Sequence, residues 1–247
     1  MPCYKDAKTL EVAVNSILDQ DWKNLEVIVV NDGSPDNANE ILDKLEKQDP
    51  RVKSIRLEKN KGACKARNAG ATISKGRYLS FLPADAFLYP GNVRVWVETL
   101  DAHPDFDFLY GGYRFVKAIS PYGGEAVQDY KSEAFDPYQL EVANYIDGSF
   151  PMRKEVFFKV GGWSEDVKSL QDWDLWIKIV KAGSKGLFYA DIFFETDLPH
   201  QGGLSFDSAA NWIERCNYIK KKNGIPIRKN CVASLGAGWH AKNIARM

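Results

Sequence analysis

Leu25 to Val30 is an almost uninterrupted apolar run rich in β-branched residues, and it stops abruptly at Asn31-Asp32-Gly33-Ser34-Pro35-Asp36. A short run of that kind suits a strand buried on both faces, the environment of a parallel sheet covered by helices. The residues that follow are turn formers, and Asp36 can cap a helix over 37–48. Ligands of open α/β sheets bind beyond the carboxyl ends of the strands, so Asn31 and Asp32 stand where a small molecule would be read.

The chain around this stretch keeps the same rhythm. Asp6 to Trp22 carries Leu10, Val14, Ile17 and Leu18 at helical spacing, 52–57 alternates as a strand, 62–74 is a helix of small residues, and 78–82 is a further short strand running into Pro83-Ala84-Asp85-Ala86. Strand, helix, strand, helix, strand predicts a parallel sheet with crossovers. Pro2-Cys3-Tyr4 reads as the loop after a strand that has only Met1 in front of it, so the first strand is expected to be truncated. Beyond Pro90 the pattern predicts a helix over 92–102, a strand pair at 106–111 and 113–117 turning at Gly111-Gly112, and a loop over 118–135. Then come an extended piece at 148–152, helices over 154–160, 172–182 and 207–222, and strands at 187–189 and 193–196. The residues 230–247 hold a lone Gly-x-Gly, a weak dinucleotide signal, and read as a linker into a further C-terminal domain.

Composition removes whole classes of function. Lys plus Arg and Asp plus Glu number 33 each, so no global basic field gathers nucleic acid or an anionic membrane. Four cysteines without paired spacing suggest reduced thiols, and no apolar run reaches the length of a membrane span. The expectation is a cytoplasmic protein, either free or peripheral to a membrane.

Pro2-Cys3-Tyr4, Val30–Asp36, Asn60-Lys61-Gly62 with Ala66-Arg67-Asn68-Ala69-Gly70, and Asp85 follow one another in the order of the nucleotide-sugar half of family 2 glycosyltransferases, which they resemble. Gly161-Gly162-Trp163-Ser164-Glu165 and Gln171-Asp172-Trp173-Asp174-Leu175-Trp176 look like that family's Gly-Gly-Phe-Asp-Glu and Glu-Asp-Trp-Asp-Leu-Trp segments. The resemblance covers about Pro2 to Ser205 and departs from the family at four places: Lys5 replaces an Asn, Pro83 the first Asp of Asp-x-Asp, Ala86 an acidic residue, and Gln171 a Glu.

The resemblance implies a GT-A-like, Rossmann-type α/β fold with a mostly parallel central sheet flanked by helices. It spans 1–225, with a nucleotide-binding half at about 1–112 and an acceptor half at about 113–225, ahead of a tail at 226–247. It implies transfer of a sugar from a nucleotide diphosphate, UDP-linked, to an acceptor hydroxyl of a glycan, lipid-linked or other molecule, with inversion. Tyr4, Asp32, Gly33, Ser34, Lys61, Arg67 and Asp85 would bind the donor, Tyr4 stacking on the base, Asp32 accepting from a base N–H and Arg67 facing ribose or phosphate. Asp85, with His200 of Pro199-His200-Gln201-Gly202-Gly203, would hold Mn²⁺ or Mg²⁺. Asp172 would be the general base, and Trp163 and Trp173 would be platforms for acceptor or sugar. The rival expectation from Pro83, Ala86 and Gln171 is a nucleotide-sugar or glycan-binding module that has lost turnover.

Overall fold

The computed structural model describes residues 1–120, 123–197 and 209–227. Strands β1 (Pro2–Cys3), β2 (Val27–Asn31) and β3 (Val52–Arg56) form a parallel sheet in that order, with Pro2 opposite Val30 and Val27 opposite Val52. Helices α1 (Ala7–Leu18), α2 (Ala38–Gln48) and α3 (Ala63–Ile73) follow the three strands as crossovers. Val27 and Val29 of β2 belong to one apolar cluster with Leu10, Val14 and Leu18 of α1 and Leu42 and Leu45 of α2. Ile28 and Val30 point the other way, toward Gly70 of α3. The central strand is buried on both faces, as its unbroken apolar run requires.

A second sheet is largely antiparallel. Its strands β4 (Tyr78–Leu79), β5 (Ala86–Leu88), β6 (Phe108–Val116), β8 (Met152–Arg153) and β9 (Gly186–Asp197) lie in the order β4-β8-β6-β9-β5, and β7 (Ala126–Tyr130) pairs with β6. Only β6 and β9 run parallel to each other. Helices α4 (Asn92–Ala102), α5 (Pro137–Val142), α6 (Lys154–Lys159), α7 (Gln171–Lys181) and α8 (Ala209–Lys222) pack around it. Trp163, Trp173 and Trp176 are fully buried in its core, the Trp176 ring 4.6 Å from that of Phe108. No helix among the described residues is long and apolar enough to cross a membrane.

Three expectations are corrected here. Residues 78–82 do not extend the parallel sheet. Tyr78–Leu79 pairs antiparallel with β8, since alternation of side chains marks a strand without marking its direction. Gly111-Gly112 is no turn, because both glycines lie inside β6. A Cβ on Gly111 would fall 2.5 Å from the Phe193 ring and 2.5 Å from the Tyr189 carbonyl oxygen. The glycines admit β9 at close range, and the register shifts there. The supposed loop over 118–135 contains β7, and α5, unforeseen, begins at a side-chain cap in which Asp136 accepts from the N–H groups of Tyr138 and Gln139.

Gly111→Ala is expected to destabilise the protein by about 1–3 kcal/mol through overpacking between two strands, visible as a lowered midpoint in a thermal melt.

Candidate functional site

The site is built on the carboxyl ends of β1 and β2. Asp32, 2% exposed, accepts hydrogen bonds from the backbone N–H groups of Lys61 (2.7 Å, Oδ1) and Gly62 (2.8 Å, Oδ2). It thereby anchors the start of α3 while each carboxylate oxygen keeps a further lone pair. Gly33 has φ +68°, and a Cβ there would lie 2.5 Å from the Lys59 carbonyl carbon, so no larger residue fits beside that loop. Ser34 is held from both sides: its Oγ accepts from the Lys5 N–H (2.7 Å) and donates to Asp36 Oδ1 (2.6 Å). Asp36 also accepts from the N–H groups of Ala7 and Ala38, the first residues of α1 and α2. Tyr4 and Lys61 are exposed at this edge.

Asn68 on α3 exchanges two hydrogen bonds with the backbone of Trp163, its Nδ2 donating to the carbonyl (2.9 Å) and its Oδ1 accepting from the N–H (2.9 Å). Gly162, at φ +68°, makes room, since a Cβ would come 2.8 Å from Asn68 Oδ1. The next residue, Ser164, donates to Asp174 Oδ2 at 2.6 Å, and Lys178 donates to the Gly162 carbonyl at 2.5 Å. These bonds fix α7 relative to α3. Leu170, which precedes α7, takes the left-handed conformation at φ 56°.

Arg67 lies one residue before Asn68. Its Nη1 donates to Gln171 Oε1 (2.8 Å), its guanidinium sits 4.5 Å from the Trp163 ring centroid, and its Nε is enclosed without a hydrogen-bond partner among the described residues. Three carboxylates, Asp172, Asp147 and Asp85, face this cation. Asp172 is the second residue of α7; its Oδ2 accepts from Asn144 Nδ2 (2.8 Å) and its Oδ1 from the Trp173 N–H (2.9 Å). Burial, reinforced by the like charge of Asp147, pushes the Asp172 carboxyl up to about 6, against the two hydrogen bonds and the Arg67 cation. Asp147 is itself raised, chiefly by burial. Its backbone carbonyl accepts from Trp176 Nε1 at 3.2 Å, so a core tryptophan holds the loop that carries it. A carboxylate poised near neutrality beside a fixed cation is equipped to take a proton.

The structure brings Arg67, Asp85 and Asp172 together and places Asp32, Gly33 and Ser34 on the adjoining loop. It separates two others from the site's surface. Trp163 and Trp173 are 2% and 1% exposed, so neither can serve as a sugar platform; Trp163 is roofed by Arg67, and Trp173 Nε1 donates to the Leu140 carbonyl at 2.6 Å in the core. His200 lies outside the described residues. Asp85 ends the turn before β5, and its carbonyl accepts from the Asp197 N–H. Among the described residues no three His, Cys, Asp or Glu side chains are grouped as a metal cage. The donor set fits a hard divalent cation only if the cation takes most of its ligands from a bound diphosphate and water, as Mg²⁺ commonly does. Asn144 and Asp147 were missed in the sequence, where they sit in a stretch without a motif; the turn signal Asp147-Gly148-Ser149 was the one available cue.

The family model described as Glycosyl transferase family 2 matches residues 1–161. An uncharacterized glycosyltransferase of Rickettsia conorii is 32% identical over 229 residues, 89% of this chain and 36% of that protein. The chondroitin synthase of Pasteurella multocida is 28% identical over 183 residues, 74% of this chain and 18% of that protein. The chain spans less than two thirds of the length of the curated relatives it matches. In fold it is similar to S. aureus TarS 1–349 in complex with UDP-GlcNAc, with a TM-score of 0.73 at 18% identity, covering 98% of this chain and 70% of that one. It is also similar to the mannosyltransferase PcManGT of Pyrobaculum calidifontis in complex with GDP-Man and Mn²⁺, with a TM-score of 0.64 at 18% identity, covering 99% and 73%.

Removing the like charge beside Asp172 favours its ionised form, so Asp147→Asn is expected to lower the Asp172 titration midpoint from about 6. The ¹³C carboxyl resonance of Asp172, assigned by its loss in Asp172→Asn, follows the change.

Proposed function

Because the chain belongs to glycosyl transferase family 2, we propose that it transfers a sugar from a nucleotide diphosphate donor, UDP-linked, to an acceptor hydroxyl with inversion at the anomeric carbon. The observation that carries this reading is Asp172 in the first turn of α7, held by Asn144 and the Trp173 N–H and facing Arg67, its carboxyl raised to about 6 by burial and the like charge of Asp147. Asp172 takes the proton of the acceptor hydroxyl as that oxygen attacks the anomeric carbon, while the bond from that carbon to the diphosphate oxygen breaks on the opposite face. Tyr4 stacks on the base, and Asp32 accepts from a base N–H through a lone pair its two backbone donors leave open. Gly33 and Ser34 shape the loop against which the nucleoside rests, and Lys61 and Arg67 face ribose and phosphate. A divalent cation, Mn²⁺ or Mg²⁺, would offset charge on the departing diphosphate, with Asp85 as its protein ligand in the described residues. The complexes of TarS with UDP-GlcNAc and of PcManGT with GDP-Man and Mn²⁺ support the donor class and the cation. The acceptor is a hydroxyl of a glycan or lipid-linked molecule, in keeping with the chondroitin synthase relative.

Calorimetric titration with UDP, in Mn²⁺ and then in EDTA, is expected to show binding that chelation weakens and that Asp85→Ala weakens equally. UDP binding without turnover of any UDP-sugar would return the reading to a binding module, and no binding of UDP would overturn the nucleotide assignment.

Turnover requires Asp172 ionised, so kcat is expected to fall about tenfold per pH unit below its midpoint near 6 and to level off above it. Asp172→Asn is expected to lower kcat by about 10²–10⁴-fold with donor KM little changed.

A further inference from the structure

Asp172 is held by two hydrogen bonds from different parts of the chain. The Trp173 N–H belongs to the backbone of α7 itself. The other donor, Asn144, comes from the segment after α5 and reaches Oδ2 at 2.8 Å. Its own orientation is set, because Asn144 Oδ1 accepts from the Ile146 N–H at 3.4 Å, which leaves the NH₂ group facing the carboxylate. The Asn144 backbone carbonyl accepts from the Tyr130 hydroxyl at 3.4 Å, tying the residue to β7. A carboxylate with one donor on each oxygen cannot turn about its terminal torsion without breaking a bond.

We propose that Asn144 is a positioning residue for the Asp172 carboxylate, locking the rotamer in which the remaining lone pairs meet the acceptor hydroxyl. The inference rests on the reading of Asp172 as the general base. It adds a role to a residue that lies outside every motif and touches no reacting atom.

The electrostatic surroundings make the role measurable. Among the described residues, the charged and titratable groups facing Asp172 are Asp147 from the loop before β8, Arg67 from α3, and the phenols of Tyr113 on β6 and Tyr130 on β7. Asp147 and burial oppose ionisation; Arg67, Asn144 and the Trp173 N–H favour it. Asn144 is the neutral side chain of that set, so its removal subtracts a hydrogen bond without changing the count of charges. Loss of a bond to the charged form then moves the midpoint upward, opposite in sign to the effect of Asp147→Asn.

The test uses the full chain labelled with ¹³C at aspartate carboxyls, with Asp172→Asn to assign the resonance. In Asn144→Ala the Asp172 midpoint is expected to rise by about one pH unit. The acid limb of kcat moves with it, kcat at pH 6 falls by about fivefold, and donor KM stays within about twofold. Asn144→Gln, which retains the amide, is expected to restore part of both effects and to guard against simple misfolding of the alanine variant, with thermal melts as the check. An unmoved midpoint in a folded variant, or a moved midpoint with an unchanged kcat profile, overturns the proposal. Absence of transfer by the unmodified protein overturns the underlying reading of the site. The two failures are distinct, because the resonance reports on the carboxylate whether or not the enzyme turns over.

Discussion

The two-point contact between the Asn68 amide and the Trp163 backbone joins the two sheets at the place where the site forms. On one side of it lies α3, whose start is pinned to β2 through Asp32. On the other lies the Gly161-Gly162-Trp163-Ser164 turn, which grips α7 through Asp174 and Lys178. An amide that donates and accepts at once to a peptide unit imitates one rung of a sheet, and the rung survives only because Gly162 brings no Cβ into the 2.8 Å gap. Arg67 precedes Asn68 on the helix and Asp172 lies in the first turn of the gripped helix, so the distance between cation and carboxylate is inherited from this rung. Neither α3 nor α7 need be rigid alone; each is positioned by the other.

That division of labour explains what could and could not be read from the sequence. The strand over 27–31, the turn at Asp32-Gly33 and the helices over 38–48 and 63–73 were legible because burial on two faces and turn chemistry are local properties. The antiparallel pairing of Tyr78–Leu79 was not, since a period of two carries no direction. Gly111-Gly112 misled for a related reason: a pair of glycines signals a turn or a close approach, and only the neighbour, here Phe193 and the Tyr189 carbonyl, decides which. Trp163 and Trp173 looked like ring platforms by type, yet their burial is set by Arg67 above one and the Leu140 carbonyl beside the other, partners remote in sequence. Asp147 and Asn144 left almost no local trace, because what makes them part of the site is the N-terminus of α7 folding onto them.

The same remoteness governs the electrostatics. Asp172 and Asp147 are 25 positions apart by number and would not interact in an unfolded chain. The folded protein brings Asp147 near enough to oppose ionisation of Asp172, and Trp176 Nε1, donating to the Asp147 carbonyl, holds its loop there. Two like charges in a partly buried site are costly unless a cation answers them, and Arg67 is the cation that all three site carboxylates share.

Gln171 decides how that cation is apportioned. A glutamate at this position would bind the Arg67 guanidinium as a local ion pair and spend its charge on a neighbour outside the chemistry. The glutamine present accepts the same hydrogen bond at 2.8 Å and carries no charge. It therefore orients the guanidinium without neutralising it, and the positive charge stays directed at Asp172, Asp147 and Asp85. Arg67 Nε, enclosed and without a partner among the described residues, is a further donor of that cation, and buried donors are rarely left so unless something else fills the position. A diphosphate oxygen is a suitable acceptor for it. A glutamine in place of glutamate therefore leaves the Arg67 charge unneutralised at this position while keeping the guanidinium oriented.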